Sequence, residues 1–281
     1  MAEQLKILVT GASSGIGRAA AIELAQRGHT VFAAARRLTA LEKLAESHRG
    51  IVAVPLDVTD EKSVETACAR VDSASQGAGI DVLVNAAGFA LTGPIETLTT
   101  QEVKRQFDTN VFGLLAVTRA VLPGMRRRRT GRIVNISSIV GRTSFPAMGV
   151  YGATKYALEA LSDSLRMELA PLGIKVVLIE PGFVATDIVD ASSRERDDGA
   201  VSSGNVDGYR RLIEGAERFL EKQMKQAMPA SALARTIADA AEARRPRTRY
   251  VTPVSAKGLV ALFTRLPDRL ADAAKRHAIA G

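Results

Sequence analysis

Short β-rich runs and longer helical patterns alternate without interruption from Leu5 to Gly182, and this alternation constrains the fold more than any other feature of the chain. The runs are LKILVT (5–10), TVFAAA (30–35), IVAVPLDV (51–58), IDVLVNAAG (80–88), GRIVNISS (131–138) and IKVVLIEPG (174–182). Between them come the helical patterns GRAAAIELAQRG, with Gly28 at its end, and LTALEKLAES, then others over about 60–75, 100–127 and 151–172. The runs show little polar alternation, as strands do when helices cover both faces of their sheet. Short connections between alternating β and α elements give parallel strands with right-handed crossovers. The expectation is an α/β chain of three layers, a central, mostly parallel, doubly wound sheet with helices on both faces. No internal repeat and no Gly/Ser linker divides it, so a single domain is expected over 1–281.

The rhythm stops after Pro181. Residues 187–208 are polar and rich in Ser, Asp and Gly, a composition that reads as a loop. With the helical pattern that follows (209–226), this stretch makes a substrate lid region over 187–226. A further helical pattern covers about 230–243, and TRYVTP reads as one last strand. In the C-terminal extension, 244–281, Leu259, Leu262, Phe263, Leu266 and Leu270 share one helical face, interrupted by Pro267. Such a stripe is expected to pack on the domain or on a partner subunit, with contact to a membrane or to substrate as the lesser alternative.

Composition narrows the function classes. A chain of 281 residues with 46% apolar and 24% charged residues can bury a substantial core. The single cysteine, Cys68, forms no internal disulfide, which suits a reducing, cytoplasmic setting. The N-terminus enters a strand-like run at once, leaving no room for a signal peptide, and no apolar stretch approaches the roughly 18 residues of a spanning helix. The net charge of +8 is concentrated in MRRRRTG (125–131) and EARRPRTRYV (242–251). The first run sits where a helix should end, and arginines there complement the helix dipole. Neither run is interleaved with stacking aromatics, so a solvated basic face is expected, with no nucleic-acid partner. No metal site is expected.

KILVTGASSGIGRAAAIELAQRG sets Gly11, Gly15 and Gly17 between the first strand and the first helix. Glycines there let the backbone turn sharply and approach a pyrophosphate, which the free N–H groups and positive dipole of the helix N-terminus hold. The second strand ends in AAARRL. An acidic residue at that place would bind the ribose hydroxyls of a cofactor without a 2′-phosphate; here Arg36 and Arg37 follow Ala35. Arginine forms bidentate bonds to phosphate, so NADP(H) is favoured over NAD(H).

Tyr151 and Lys155 are four residues apart on an expected helix and so lie on one face. A tyrosine of ordinary pKa, about 10, is a poor base near neutrality. A neighbouring ammonium is expected to lower that value and so make the phenol a proton donor and acceptor. Ser138, at the end of the fifth strand, can orient a carbonyl or alcohol oxygen toward it.

With TGASSGIG (10–17), LDVTD, FDTNVFG, NISSIVG, YGATK and PGFVATD, the chain resembles the short-chain dehydrogenase/reductase family over about residues 5–190. The resemblance implies a Rossmann fold and an oxidoreductase with Asn110, Ser138, Tyr151 and Lys155 as catalytic residues. It assigns Lys155 a hold on the nicotinamide ribose and Asn110 a place in a water-linked proton relay. It also implies that Ser13, Ser14 and Ile16 line the cofactor loop, that Asp57 and Val58 meet the adenine, and that Val184 and Thr186 meet the carboxamide. The family's N-N-A-G is Asn85-Ala86-Ala87-Gly88 here, keeping Asn85 and Gly88 beside the cofactor. The C-terminal part resembles the tails of hydroxysteroid and retinol dehydrogenases, which implies a bulky apolar alcohol or ketone as substrate, and a homodimer or homotetramer is expected. The alternative from another class is a non-catalytic dinucleotide-binding regulator or redox sensor. A sugar-nucleotide epimerase or dehydratase is a lesser one, because its relatives have other glycine spacing and a larger C-terminal domain.

Overall fold

The computed structural model describes residues 4–186 and 208–280. Seven strands form one sheet in the order β3-β2-β1-β4-β5-β6-β9, and every neighbouring pair is parallel. They are β1 (Lys6–Thr10), β2 (Thr30–Ala35), β3 (Ile51–Pro55), β4 (Val82–Asn85), β5 (Gly131–Ile136), β6 (Ile174–Pro181) and β9 (Arg249–Thr252). The order reverses at β1, which pairs with β2 on one side and β4 on the other. A crevice therefore opens beyond the C-terminal ends of these strands.

Alternate side chains of each strand enter opposite layers. Ile7, Val9, Val31, Ala33, Val82, Val84, Val134 and Val177 meet helices α1 (Gly15–Gln26), α2 (Leu38–Ser47) and α8 (Ala230–Glu242) through Ala21, Leu24, Leu41, Leu233 and Ile237. Leu8, Phe32, Leu83, Ile133 and Val176 meet α3 (Glu61–Ala74) and α5 (Leu114–Arg128) through Val64, Val71, Val117, Val121 and Met125. Burial on both sides explains why the strand sequences lack polar alternation. A fully buried leucine or isoleucine contributes about 1.5–3 kcal/mol, so the two layers dominate the stability of the fold.

Local sequence sets the helix starts. The Asp60 carboxylate accepts a bond from the Lys62 N–H to cap α3. A capping box joins Thr99 and Glu102 at the start of α4 (Thr100–Phe107). The long helical pattern over 100–127 is not one regular helix, because a π-helical turn, Asp108–Gly113, separates α4 from α5. Helix α6 (Gly149–Leu169) follows β5 through a short 3₁₀ turn, Ile139–Gly141. The basic run at the end of α5 is partly engaged within the fold. Arg128 and Arg129 donate to the carbonyls of Ile80 and Pro171, so this end is more than a solvated face.

Beyond β6 a two-stranded pairing forms that the sequence pattern does not reveal: β7 (Val184–Ala185) lies parallel to β8 (Met228–Pro229). It returns the chain after helix α7 (Arg210–Lys225) to the mouth of the crevice. The loop expected over 187–208 falls almost wholly outside the described residues, and the rest of the expected lid region is α7.

The C-terminal stripe packs on the domain only in part. Helix α9 (Ala256–Phe263) turns Ala256 and Val260 inward, with Phe263 half-buried, while Leu259 and Leu262 stay exposed. On α10 (Asp268–Ala280), Ala271 and Ile279 are buried and Leu270 is exposed. The small Ala256 and Ala271 let these helices sit close to the body, whereas the bulkier leucines face away. Among the described residues, no helix is long and apolar enough to cross a membrane.

Candidate active site

The crevice holds a cleft of about 1330 Å³, its open mouth included, lined by Gly11, Ser13, Ser14, Gly15, Ile16 and Gly17 from the β1–α1 turn. Arg36 and Arg37 beyond β2, Asp57 and Val58 beyond β3, and Gly88 and Thr186 complete the sequence-expected part of its wall. Gly11 has a φ of +68°, and a Cβ on it would lie 2.8 Å from the Ala87 Cα. A Cβ on Gly17 would strike the Gly11 carbonyl. Only glycine lets this turn bring β1, α1 and the loop after β4 together. The N-cap Ser14 makes no side-chain cap bond, and the first turn of α1 has no acidic residue. Its N–H groups and positive dipole thus open into the cleft. The residues present therefore fit the nicotinamide dinucleotide that the sequence implies. Arg37 donates to the Ser13 hydroxyl at 3.2 Å, joining the β2 end of the cleft to the glycine turn. The Asp57 carboxylate accepts from the backbone and hydroxyl of Thr59 at 3.0 and 2.7 Å, which holds its own turn in place.

Asn85 is placed differently from expectation. Its side chain is buried and does not line the cleft; its Nδ2 donates to Asn135 Oδ1 at 3.0 Å and to Thr118 Oγ1 at 3.1 Å. At the end of a strand covered on both faces, the amide nitrogen finds its partners on neighbouring elements, while the buried Oδ1 has no hydrogen-bond partner among the described residues. The residue that fixes the loop after β4 is Thr10, whose hydroxyl accepts from the backbone N–H groups of Ala86 and Ala87, both at 3.1 Å.

A second, more enclosed space of about 980 Å³, its mouth included, adjoins the cleft, and the two share Ile16, Ala86, Ala87, Gly88, Phe89 and Thr186 as walls. Ser138, Tyr151, Lys155 and Val184 all line it. Ser138 lies just past β5, where its hydroxyl donates to the Pro181 carbonyl at 3.3 Å. Tyr151 stands in the first turn of α6, and Lys155 one turn later. The Lys155 ammonium donates to the Ile136 carbonyl at 2.8 Å and lies 5.7 Å from the centre of the Tyr151 ring. Asn110 sits on the π-helical turn behind this wall, not in it. Its Nδ2 donates to the Phe89 carbonyl at 3.0 Å and to Thr154 Oγ1 at 3.2 Å, while its Oδ1 accepts from the Phe89 N–H at 3.2 Å. Thr154 in turn donates to the Tyr151 carbonyl at 2.7 Å, so Asn110 ties the loop after β4 to α6. The extra residue of a π turn re-aims one side chain without ending the helix, and this one aims Asn110 at that loop.

Electrostatics depart from the sequence expectation. Burial pushes the Tyr151 phenol up to about 12, opposed by the Ser138 hydroxyl. The same burial lowers the Lys155 ammonium to about 8, opposed by the Glu159 carboxylate. Burial thus moves the phenol in the opposite direction from the one the Tyr151–Lys155 spacing implies. Tyr151 is fully protonated at neutral pH, whereas Lys155 changes charge just above it.

Apolar wall residues that sequence reasoning missed include Phe145, Met148, Phe183, Phe219, Leu220 and Met224. A weak signal existed for some of them. Ile213, Ala216, Phe219 and Leu220 recur at helical spacing in α7, although periodicity alone does not tell a core stripe from a cavity wall.

The short chain dehydrogenase family model matches residues 5–197. Human retinol dehydrogenase 5 is 35% identical over 278 residues, covering 95% of this chain and 86% of that protein. The NADPH-dependent 3-dehydrocapnine reductase of Ornithobacterium rhinotracheale is 31% identical over 273 residues, covering 94% of each. A short-chain dehydrogenase/reductase from Burkholderia phymatum, solved in complex with NAD, superposes with a TM-score of 0.80 at 26% identity, covering 92% of each chain. With a parallel seven-stranded sheet, a glycine turn at its switch point and a family match over most of its length, the chain belongs to the short-chain dehydrogenase/reductase family of oxidoreductases.

Proposed function

We propose that the protein interconverts an alcohol and a ketone or aldehyde on a bulky apolar molecule, using NADP(H) in preference to NAD(H), with Tyr151 as general acid and base. The observation that carries this reading is the position of Tyr151, Ser138 and Lys155 in an apolar space that shares a wall with the dinucleotide cleft. When bound, the nicotinamide supplies the hydride chemistry. Gly11 to Gly17 and the start of α1 would hold its pyrophosphate, Arg36 and Arg37 its 2′-phosphate, and Lys155 its ribose. Val184 and Thr186 would meet the carboxamide.

In this reading the Ser138 hydroxyl hydrogen-bonds the substrate oxygen and orients it toward the Tyr151 phenol. Tyr151 gives its proton to that oxygen as negative charge develops there. A phenol kept protonated by burial holds the proton that carbonyl reduction requires. The apolar walls, Phe145, Phe183, Phe219, Leu220 and Met224, exclude water and match an apolar substrate. Asn110 acts by holding Phe89 and α6 in register and so positions Tyr151.

The test is a panel of apolar ketones, aldehydes and alcohols with each cofactor, followed by nicotinamide absorbance. Turnover faster with NADPH than with NADH is expected. Tight cofactor binding without turnover of any carbonyl compound would overturn the reading in favour of a dinucleotide-binding regulator.

A further inference from the structure

The apolar space beside Tyr151 does not end at its aromatic wall. On the far side of Phe145 and Phe219 lies a second cavity of about 610 Å³, its mouth included, and the two spaces share Thr92, Phe145, Met148, Phe219 and Leu220 as walls. The partition consists of side chains. Phe145 and Phe219 stack with ring centres 6.4 Å apart and planes 23° from parallel, and Met148 and Leu220 fill in around them. Methionine and leucine change rotamer readily, which would let the two spaces join.

The outer chamber is apolar in its own right. Ile213 and Ala216 of α7 and Ile279 of α10 face it, and among the described residues of its wall the one charged side chain, Glu217, is solvent-exposed. Its far wall is fixed, because a Cβ on Gly215 would strike the Ile279 carbonyl, leaving no gap between α7 and α10. An unbranched polymethylene chain presents the smallest cross-section to the stacked pair and gains from every methylene it buries.

We propose that this outer cavity takes the distal part of an unbranched alkyl chain whose carbonyl carbon is presented to Tyr151. This rests on the oxidoreductase reading above and narrows its substrate class to long-chain aliphatic ketones and alcohols.

The experiment is a kcat/KM series with methyl ketones lengthened one carbon at a time, using the full chain and NADPH. Beyond the length that fills the inner space, kcat/KM is expected to climb about fourfold per added carbon, the equivalent of about 0.8 kcal/mol per buried methylene. Ala216→Trp, which fills the outer cavity, is expected to cut the ratio of long-chain to short-chain kcat/KM at least about tenfold. Ile213→Ala guards against a folding artefact in the tryptophan variant, because it widens the same space and is expected to extend the climb to longer chains. A flat length profile, or a climb that both variants leave unchanged, overturns the proposal. Absence of turnover with every carbonyl compound and both cofactors instead overturns the oxidoreductase reading and the proposal with it.

Discussion

Lys155 lies with its ammonium 5.7 Å from the centre of the Tyr151 ring while it donates a 2.8 Å hydrogen bond to the Ile136 carbonyl. The lysine is thus moored to the end of β5, and both groups are buried. Neutral phenol and weakened ammonium are the outcome of that shared desolvation. Spacing along the helix fixes which residues are neighbours, and burial fixes their protonation.

The pH dependence of the reaction follows from this arrangement. Lys155 carries its charge below about pH 8 and loses it above, whereas Tyr151 keeps its proton until about pH 12. Because the charged Lys155 would hold the cofactor ribose, carbonyl reduction is expected to fall as pH rises through about 8, with lysine and not tyrosine as the group that titrates. In Lys155→Arg, whose guanidinium stays charged, that inflection should disappear from the accessible range. Profiles of kcat/KM for both proteins check this; an unchanged inflection in the arginine variant would assign it to another group.

Tyr151→Phe removes the transferable proton and leaves the ring in place. Turnover is expected to fall about 10²- to 10⁴-fold, while NADPH titration gives nearly the wild-type affinity. Near-normal turnover in this variant would remove Tyr151 from the mechanism.

Cofactor choice is tested at the end of β2. Arg36→Ala is expected to weaken NADPH binding about tenfold or more, as loss of a charge-assisted bond worth about 1.5–3 kcal/mol requires, and to leave NADH within about twofold. Direct binding titrations with both cofactors give the ratio; equal losses would falsify the assignment of the arginine to the 2′-phosphate.

A stability prediction concerns the last strand. Arg249 reaches Glu180 at 3.0 Å, Glu159 at 3.2 Å and Asp163 at 2.8 Å, with Arg142 3.6 Å from Glu180 on its other side. Glu180 has no exposed surface, and burial together with the Glu159 charge raises its pKa. Arg249→Met would leave two buried carboxylates facing each other, at a cost of about 3–5 kcal/mol. Thermal unfolding is expected to shift down by about 5–10 °C, with a smaller shift for Arg249→Lys. A melting point within error of wild type would show that the pairs contribute nothing net.

The sequence by itself determined the layering, the glycine turn and the one-turn spacing of Tyr151 and Lys155. These depend on short-range rules: apolar runs with no polar alternation, φ space open to glycine, and the pitch of a helix. The Thr99–Glu102 capping box obeys the same kind of short-range rule. Tertiary structure decided the rest. The stretch through Asn110 reads as regular helix, because inserting one residue into a turn leaves almost no trace in composition, yet the π turn aims that side chain at Phe89. Asn85 is next to the cleft in sequence, but its buried amide nitrogen is drawn to Asn135 and Thr118 of neighbouring elements. Phe145 and Phe219 are far apart in the chain, and only the packing of α7 over the loop before α6 stacks their rings. The protonation of Tyr151 and Lys155 was not readable either, since a pKa depends on how much water the whole fold removes, which no local spacing encodes.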